Sequence, residues 1–370
     1  MTMIFAGGGT GGHLYPAVAI ADAVRRLLPD TRIVFVGNRD RIEGRVAPTL
    51  GYEFIASPVR GLRRALTAAN LAVPFRLVAA LVQSFRLLRS LRPAVVVGTG
   101  GYVAGPPLYV ASLLGIPTLI QEQNSYPGIA TRLLARRARE VHICFEETRR
   151  HLRRRENVHV SGNPIRAAIG SVPRAEGARR YGFDPARPTI LVTGGSLGAA
   201  RLNAAVLAAV RGWVAEDGVQ LLWLTGEAHA ATIRAQLAAL GLPAGAPVRV
   251  EAFEPAMEHA YAASDLAIAR SGASTLAELA AAGVPAVLVP YPFAAADHQT
   301  RNADTMVHEG AAVLLRENDA ASQLLETVRQ LMRDPARRAS MAERMRALAR
   351  PDAAATIARA VLRLGQDTHD

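Results

Sequence analysis

A short apolar run, Met3 to Ala6, ends in five glycines within the six positions Gly7 to Gly12, and His13 stands directly behind them. Glycine lets a backbone turn sharply and bring its N–H groups close to a ligand, so a strand, a glycine turn and a helix in that order make an anion-binding corner. The positive end of a helix disfavours imidazolium, which suits a histidine at that position to take a proton as a general base. For an arbitrary histidine the plainer reading is an ordinary helix-start residue; the glycine turn favours the chemical one. A second cluster lies in "RSGASTLAELAAAGVPAVLVPYPFAAADHQTRNA". Ser271, Gly272, Ser274 and Thr275 form a small polar turn ahead of a helix, suited to a phosphate. Glu278, four residues after Ser274, can face the same ligand and hold paired ribose hydroxyls; alone, it would read as a solvated helix face. Asp297, His298, Gln299 and Asn302 add hydrogen-bonding groups of the kind that read a sugar. No D-x-D, H-x-x-x-H or cysteine pair accompanies them, so no metal site is expected.

These residues need elements to position them. Short β-branched runs alternate with glycine turns and alanine- or leucine-rich stretches at Met3 to Ala6, Arg32 to Val36, Ala94 to Val97, Thr118 to Ile120 and Val141 to Cys144. That alternation predicts βαβ units around a parallel sheet. It resumes at Thr189 to Thr193, Gln220 to Thr225, Val248 to Phe253, Leu266 to Ala269 and Ala286 to Pro290. The fold class is therefore α/β with two Rossmann-like domains, 1–163 and 164–349, and a last helix, within 350–370, able to pack on either. The intervening "VSGNPIRAAIGSVPRAEGARRYGFDPARP" is rich in Gly, Pro and Arg and reads as a linker. "FAGGGTGGH" and "LVTGGSLGAARLN" open the two domains alike, "VVVGTGGYVAGPP" adds a third glycine turn, and two facing domains of this kind imply a cleft. Gly7, Gly9 and Gly12 also satisfy G-x-G-x-x-G. A dinucleotide site wants an acid at the end of the second strand, however, and "RIVFV" ends in Gly37 and Asn38, with Asp40 too late.

Composition narrows the class. The chain of 370 residues is half hydrophobic and 20% charged, which is globular. Cys144 is the only cysteine, which excludes an internal disulfide and fits a reducing, cytoplasmic compartment. The net charge of +12 comes from arginine alone, and the whole excess lies before residue 164. Basic surface attracts nucleic acid and anionic lipid alike. With aromatics at 5% and no aromatic-interleaved basic strand, nothing here stacks bases, and no nucleic-acid role is expected. Residues 93–121 are uncharged, but glycines and prolines break them, so no spanning helix is expected. Phe75, Val78, Val82, Phe85 and Leu88 fall at helical spacing, with Arg76 and Arg86 on another face. Two readings stay open: an ordinary helix with this stripe in the core, or a membrane-surface patch ringed by arginine.

Six stretches in order, "GGGTGGHLYPAVAIA", "GTGGYVAGP", "GIPTLIQEQNSYPG", "SGNPIR", "GGSLGAARLN" and the Arg270 to Ala303 segment, resemble the MurG family across essentially the whole chain. The resemblance implies a GT-B fold with donor nucleotide on the second domain and acceptor on the first. It implies inverting transfer of GlcNAc from UDP-GlcNAc to the C4 hydroxyl of MurNAc in lipid I, giving lipid II for peptidoglycan, with no metal or cofactor. The partners implied are UDP-GlcNAc, lipid I, anionic inner-leaflet lipids and other cell-wall synthesis proteins, and the place implied is the cytoplasmic face of the bacterial inner membrane. Carried onto this chain, the resemblance puts Thr10, Gly11, Gly12 and Asn124 near the transferred sugar. Arg166, Gly195, Ser196 and the Ala273, Ser274, Thr275, Leu276 and Ala277 turn would hold the diphosphate. The backbone at Phe253 and Glu254 would meet the uracil, Glu278 the ribose and Gln299 the sugar hydroxyls. His13 is the first candidate for the base and Glu122 the second. Tyr102, Arg76, Arg86, Phe75 and Phe85 fall to the acceptor and membrane side. Gln121 stands where many members have histidine. The rivals are another GT-B enzyme, such as a UDP-GlcNAc 2-epimerase, and a non-catalytic nucleotide-sugar or lipid-binding module.

Overall fold

The computed structural model describes residues 1–59, 73–195, 198–294 and 297–366. The chain divides into two compact units, Met1–Ile165 with Pro351–Asp370, and Arg166–Arg350.

The first unit is built on a parallel sheet. Its strands are β1 (Thr2–Gly7), β2 (Arg32–Gly37), β3 (Glu53–Ala56), β4 (Val95–Gly100), β5 (Thr118–Glu122), β6 (Glu140–Ile143) and β7 (Val158–Val160), in the spatial order β3-β2-β1-β4-β5-β6-β7. Met3, Ile4, Phe5, Val95, Val96 and Val97 are fully buried, as expected of central strands covered on both faces. Between them run α1 (Gly11–Leu27), α2 (Ile42–Thr49), α3 (Val73–Leu91), α4 (Gly105–Leu113) and α5 (Ile129–Leu134). The strand order reverses between β1 and β4, the point where open α/β sheets bind ligands. Their register slips there: Ala6 lies opposite Gly98 but Gly7 lies opposite Gly100. The slip sets the two glycine turns side by side.

The second unit repeats the plan with β8 (Thr189–Thr193), β9 (Gln220–Leu224), β10 (Val248–Glu251), β11 (Leu266–Ala269), β12 (Ala286–Leu288) and β13 (Ala312–Leu314). Their order is β10-β9-β8-β11-β12-β13, so the switch point falls between β8 and β11. Here the helices are α6 (Arg174–Arg180), α7 (Ala200–Arg211), α8 (Ala230–Ala239), α9 (Met257–Ala263), α10 (Ala273–Ala282), α11 (His298–His308), α12 (Glu317–Arg333) and α13 (Pro335–Ala347). α6 arises inside the stretch read as linker, where Gly177 has no room for a side chain against the backbone of His259 and Ala263. The final helix, α14 (Ala353–Gln366), returns to the first unit, where Ile357, Val361 and Leu364 join the core of Met3, Ile20 and Val24.

Candidate active site

His13 sits in the first turn of α1, its backbone N–H bonded to the carbonyl of Thr10 at 3.2 Å. No side chain caps this helix and its first turn holds no acid, so the amides of Gly11 and Gly12 remain for a ligand. The His13 ring lies against Gly100, where a Cβ would come within 2.7 Å of Nδ1; Gly100 also has φ +105°. Glycine is required there on both counts. Nδ1 is 3.0 Å from Oε1 of Gln123. The Gln123 amide cannot be turned round, because its Nε2 donates to the carbonyl of Thr99 at 2.7 Å and also to Oε1 of Gln121. Facing an oxygen, Nδ1 is the ring nitrogen that donates, and the neutral ring then carries its lone pair on Nε2. Gln123, within the motif "QEQN" but not singled out in the sequence, thus sets the tautomer of His13. The signal that could have found it is two residues of spacing: along β5 and beyond, positions 121 and 123 share one side. Gln121 is fully buried and its Nε2 also reaches Cys144 Sγ and Asn163 Oδ1, at 3.5 and 3.4 Å.

The glycine turn itself is held by a residue the sequence reading passed over. Glu43 of α2 is fully buried, and its carboxylate accepts from Gly9 N and Asn38 N, both at 2.9 Å. A Cβ at Gly8 would lie 2.2 Å from its carboxyl carbon, and one at Gly37 would lie 2.3 Å from its Cγ. Two of the glycines therefore make room for the protein's own carboxylate. The amide of Gly9 is already engaged by that carboxylate. A cavity of about 780 Å³ opens beside the turn, lined among others by Thr10, His13, Arg39, Arg41, Arg76 and Tyr102.

Glu122 lies elsewhere. Its side chain is buried and its oxygens accept from Asn124 N, Asn124 Nδ2, Gly128 N and Thr131 Oγ1 at 2.7–3.2 Å. Four donors fill the lone pairs of a carboxylate that ties the loop after β5 to α5, and none is left for a reacting hydroxyl. Asn124 is likewise occupied by that loop, its carbonyl accepting from Thr148 Oγ1.

In the second unit, α10 starts at the switch point. Gly272 precedes it with no side-chain cap and open space around its Cα, and the first turn has no acid. The amides of Ala273, Ser274 and Thr275 thus form an uncapped helix N-terminus. The next, Leu276 N, is bonded to Gly272 O at 3.0 Å and its side chain is buried, so Leu276 serves the core. Ala277 is half-buried in the following turn. Glu278 Oε2 accepts from Tyr261 Oη at 2.9 Å. Burial raises the Glu278 carboxyl above its ordinary range, and the Tyr261 bond and Arg166 offset this only in part. Arg166 is half-exposed, donates to the Pro255 carbonyl and lies 3.8 Å from Glu258, which fixes it against the loop after β10. On that loop Phe253 is exposed while Glu254 is buried. Burial pushes Glu254 up, but bonds from Ala256 N, Tyr181 and Arg180 hold it below the usual range. Its carboxylate belongs to the scaffold, leaving the backbone of the loop for a ligand.

Gln299 Oε1 accepts from Tyr291 N at 2.9 Å, which turns its amide nitrogen outward. Asn302 is fully buried and donates to Ser271 O at 3.2 Å; it does not read a sugar but fastens α11 to the turn before α10. Gly195 has φ +82° and open space, and its N–H lies 3.3 Å from Thr193 Oγ1. Ser196 lies outside the described residues. Among the described residues no cluster of His, Cys, Asp or Glu could hold a metal ion.

α3 leaves four of the five residues of its apolar stripe exposed. Phe75 is 79% exposed, and Val78, Val82 and Phe85 are exposed too, while Ala80, Ser84 and Leu88 turn inward. Leu113 on α4 and Ile129 and Leu133 on α5 are exposed as well, which the sequence reading missed because each stands alone. Arg132 and Arg137 lie 5.1 and 5.5 Å over the rings of Tyr126 and Tyr109. Leaving each large side chain in water forgoes roughly 1.5–3 kcal/mol, so the patch marks a surface for something apolar. Among the described residues no helix is long and apolar enough to cross a membrane.

Residues 3–143 match the glycosyltransferase family 28 N-terminal domain and residues 189–357 its C-terminal domain. A Salinibacter ruber protein named UDP-N-acetylglucosamine--N-acetylmuramyl-(pentapeptide) pyrophosphoryl-undecaprenol N-acetylglucosamine transferase is 45% identical over 98% of this chain and 96% of its own length. A Prosthecochloris aestuarii protein of the same name is 43% identical over 97% of each. Among solved structures, Acinetobacter baumannii MurG superimposes with a TM-score of 0.77 at 28% identity, covering 98% of this chain and 99% of that one. A putative UDP-N-acetylglucosamine 2-epimerase from Listeria monocytogenes, at 14% identity and TM-score 0.69 over 98% of this chain and 95% of its own, shares the fold alone. Identity at this level over both domains places the chain in glycosyltransferase family 28, as a member of the MurG family.

Proposed function

We propose that this enzyme transfers GlcNAc from UDP-GlcNAc to the C4 hydroxyl of the muramoyl sugar of undecaprenyl-pyrophosphoryl-MurNAc-pentapeptide, with inversion. The observation that carries the reading is the His13–Gln123 pair, which leaves an imidazole lone pair at the mouth of a cavity in the first unit. The hydroxyl oxygen attacks the anomeric carbon as the bond to UDP breaks, and its proton passes to His13 Nε2. Glu122, with its oxygens filled, gives up the alternative role. The leaving diphosphate takes its negative charge onto the α10 N-terminus, Arg166, Gly195 and Ser196. Glu278 holds the ribose, Gln299 the sugar hydroxyls through its amide nitrogen, and the Phe253–Glu254 backbone the uracil. Thr10, Gly11, Gly12 and Asn124 border the transferred sugar. Tyr102 lies on the acceptor side.

The test is transfer of labelled sugar to a lipid I analogue, comparing UDP-GlcNAc with UDP-GalNAc and UDP-glucose. Product only from the first supports the reading; none from any donor overturns it. An acceptor bonded to a lipid also gives the α3–α5 surface a purpose as a peripheral membrane contact on the cytoplasmic side, with Arg76 and Arg86 beside Phe75 and Phe85. Sedimentation with anionic vesicles should carry the enzyme down, and Phe75→Ser with Phe85→Ser should leave most of it in solution. Unchanged sedimentation of the double variant removes that contact.

A further inference from the structure

The cavity beside His13 is walled by three arginines, Arg39, Arg41 and Arg76, and one carboxylate, Asp40. None of the three guanidiniums has a carboxylate or hydrogen-bond partner among the described residues, although arginines elsewhere in the chain are widely paired. With three guanidiniums against one carboxylate, Asp40, the described lining is net positive and calls for an anionic ligand, and planar guanidinium forks fit carboxylate and phosphate oxygens. The three do not stand together along the chain. Arg76 is on α3 next to Phe75, on the apolar surface, whereas Arg39 and Arg41 belong to the turn between β2 and α2. Arg41 immediately precedes α2, whose Glu43 pins the glycine turn. Neither Arg39 nor Arg41 supports the fold through its side chain; both are exposed.

The acceptor of the proposed reaction, on which this inference rests, carries anions at two places: the pyrophosphate bonded to the lipid, and the carboxylate ends of the peptide. A pyrophosphate bonded to a membrane lipid must lie at the membrane side, with Arg76. We propose that Arg39 and Arg41 form a separate subsite that binds a carboxylate of the acceptor's peptide stem. The glycosyl acceptor hydroxyl is then held at His13 between two ionic anchors, one for each end of the molecule. Binding at the peptide end raises affinity for the acceptor without touching the reacting atoms, so its loss appears in KM and not in kcat.

The experiment compares two lipid I analogues, one with free peptide carboxylates and one with all of them amidated, in the wild type and in Arg39→Gln/Arg41→Gln. Thermal unfolding checks that the double variant is folded, and each single variant is carried alongside. For the free-carboxylate acceptor the double variant should raise KM roughly tenfold with kcat nearly unchanged, as for the loss of charge-assisted hydrogen bonds. Wild-type KM should rise by a similar factor on amidation, and the double variant should treat the two acceptors alike. An equal rise for both acceptors would place the pyrophosphate at these arginines and overturn the proposal, as would no change with either. Failure of the wild type to use either acceptor defeats the proposed reaction itself, and the subsite with it.

Discussion

The two units share one topology, with a glycine turn and a helix start at the switch point of each, yet these corners are finished in opposite ways. In the first unit a buried carboxylate from the chain, Glu43, occupies the glycine turn, and the helix behind it presents a histidine with a fixed tautomer. In the second unit the helix behind the switch point is left uncapped, without an acid in its first turn. In the proposed reaction the first corner would move a proton and the second would receive negative charge. One fold serves both because the sheet fixes only where the loops end, not what fills them.

The sharpest way to break that comparison is at His13. His13→Ala should lower turnover by roughly 10²–10⁴, the range of a lost general base, while UDP-GlcNAc binding measured by calorimetry stays at the wild-type value. Lost donor binding would mean the two corners do not divide the work. At the second corner, Glu278→Ala should raise the donor KM roughly ten- to a hundredfold and leave the acceptor KM alone, since two hydrogen bonds to a charged group are lost. The pH dependence carries a sign. Burial raises the Glu278 carboxyl, and the protonated form cannot accept from both ribose hydroxyls, so the donor KM should climb as pH falls and begin to do so above the pH at which an exposed glutamate would protonate. Tyr261→Phe removes a bond that favours the carboxylate and should move that climb to still higher pH. A donor KM that climbs only where an exposed glutamate would protonate, in both proteins alike, would remove Glu278 from the ribose.

The sequence is most readable where one residue type has one reason to be there. The α/β class with two Rossmann-like domains followed from β-branched runs and glycine turns, and β8 and β11 lie where the pattern puts them, at Thr189–Thr193 and Leu266–Ala269. β3, β7 and β13, edge strands of three or four residues, escaped it. At the site, His13 was legible because a histidine behind a glycine turn is unusual. Glu43 was not, since a glutamate in the first turn of a helix reads as a favourable dipole partner and nothing local says that it turns inward. Gln123 and Asn302 show the same limit from both sides. Each is an amide in a polar stretch, and only the fold distinguishes one that bonds the His13 ring from one that fastens a helix.

Gln123 sharpens the comparison because its side chain bonds the His13 ring, through which the proposed reaction would have it act. Gln123→Leu removes the acceptor at Nδ1, so the ring can rotate and place its proton on either nitrogen; kcat should fall roughly tenfold with both KM values nearly unchanged. Gln123→Glu restores an acceptor at that nitrogen and should recover part of the rate. If the leucine variant is as active as the wild type, Gln123 is only a buried polar residue satisfying Thr99.

The smallest effect on rate, and the clearest on stability, belongs to the carboxylate inside the first corner. Glu43 accepts from two backbone amides through its two oxygens. Glu43→Gln keeps the shape of the side chain but must point an NH2 group at either Gly9 N–H or Asn38 N–H, so one buried donor faces another. Such an unsatisfied pair costs about 1–3 kcal/mol, which urea unfolding can resolve. Catalysis should suffer only as far as the turn shifts, because the lone pair on His13 is set by Gln123 and not by Glu43. A variant as stable as the wild type would mean that the turn does not depend on its internal carboxylate, and the contrast between a filled corner and an open one would lose its energetic basis.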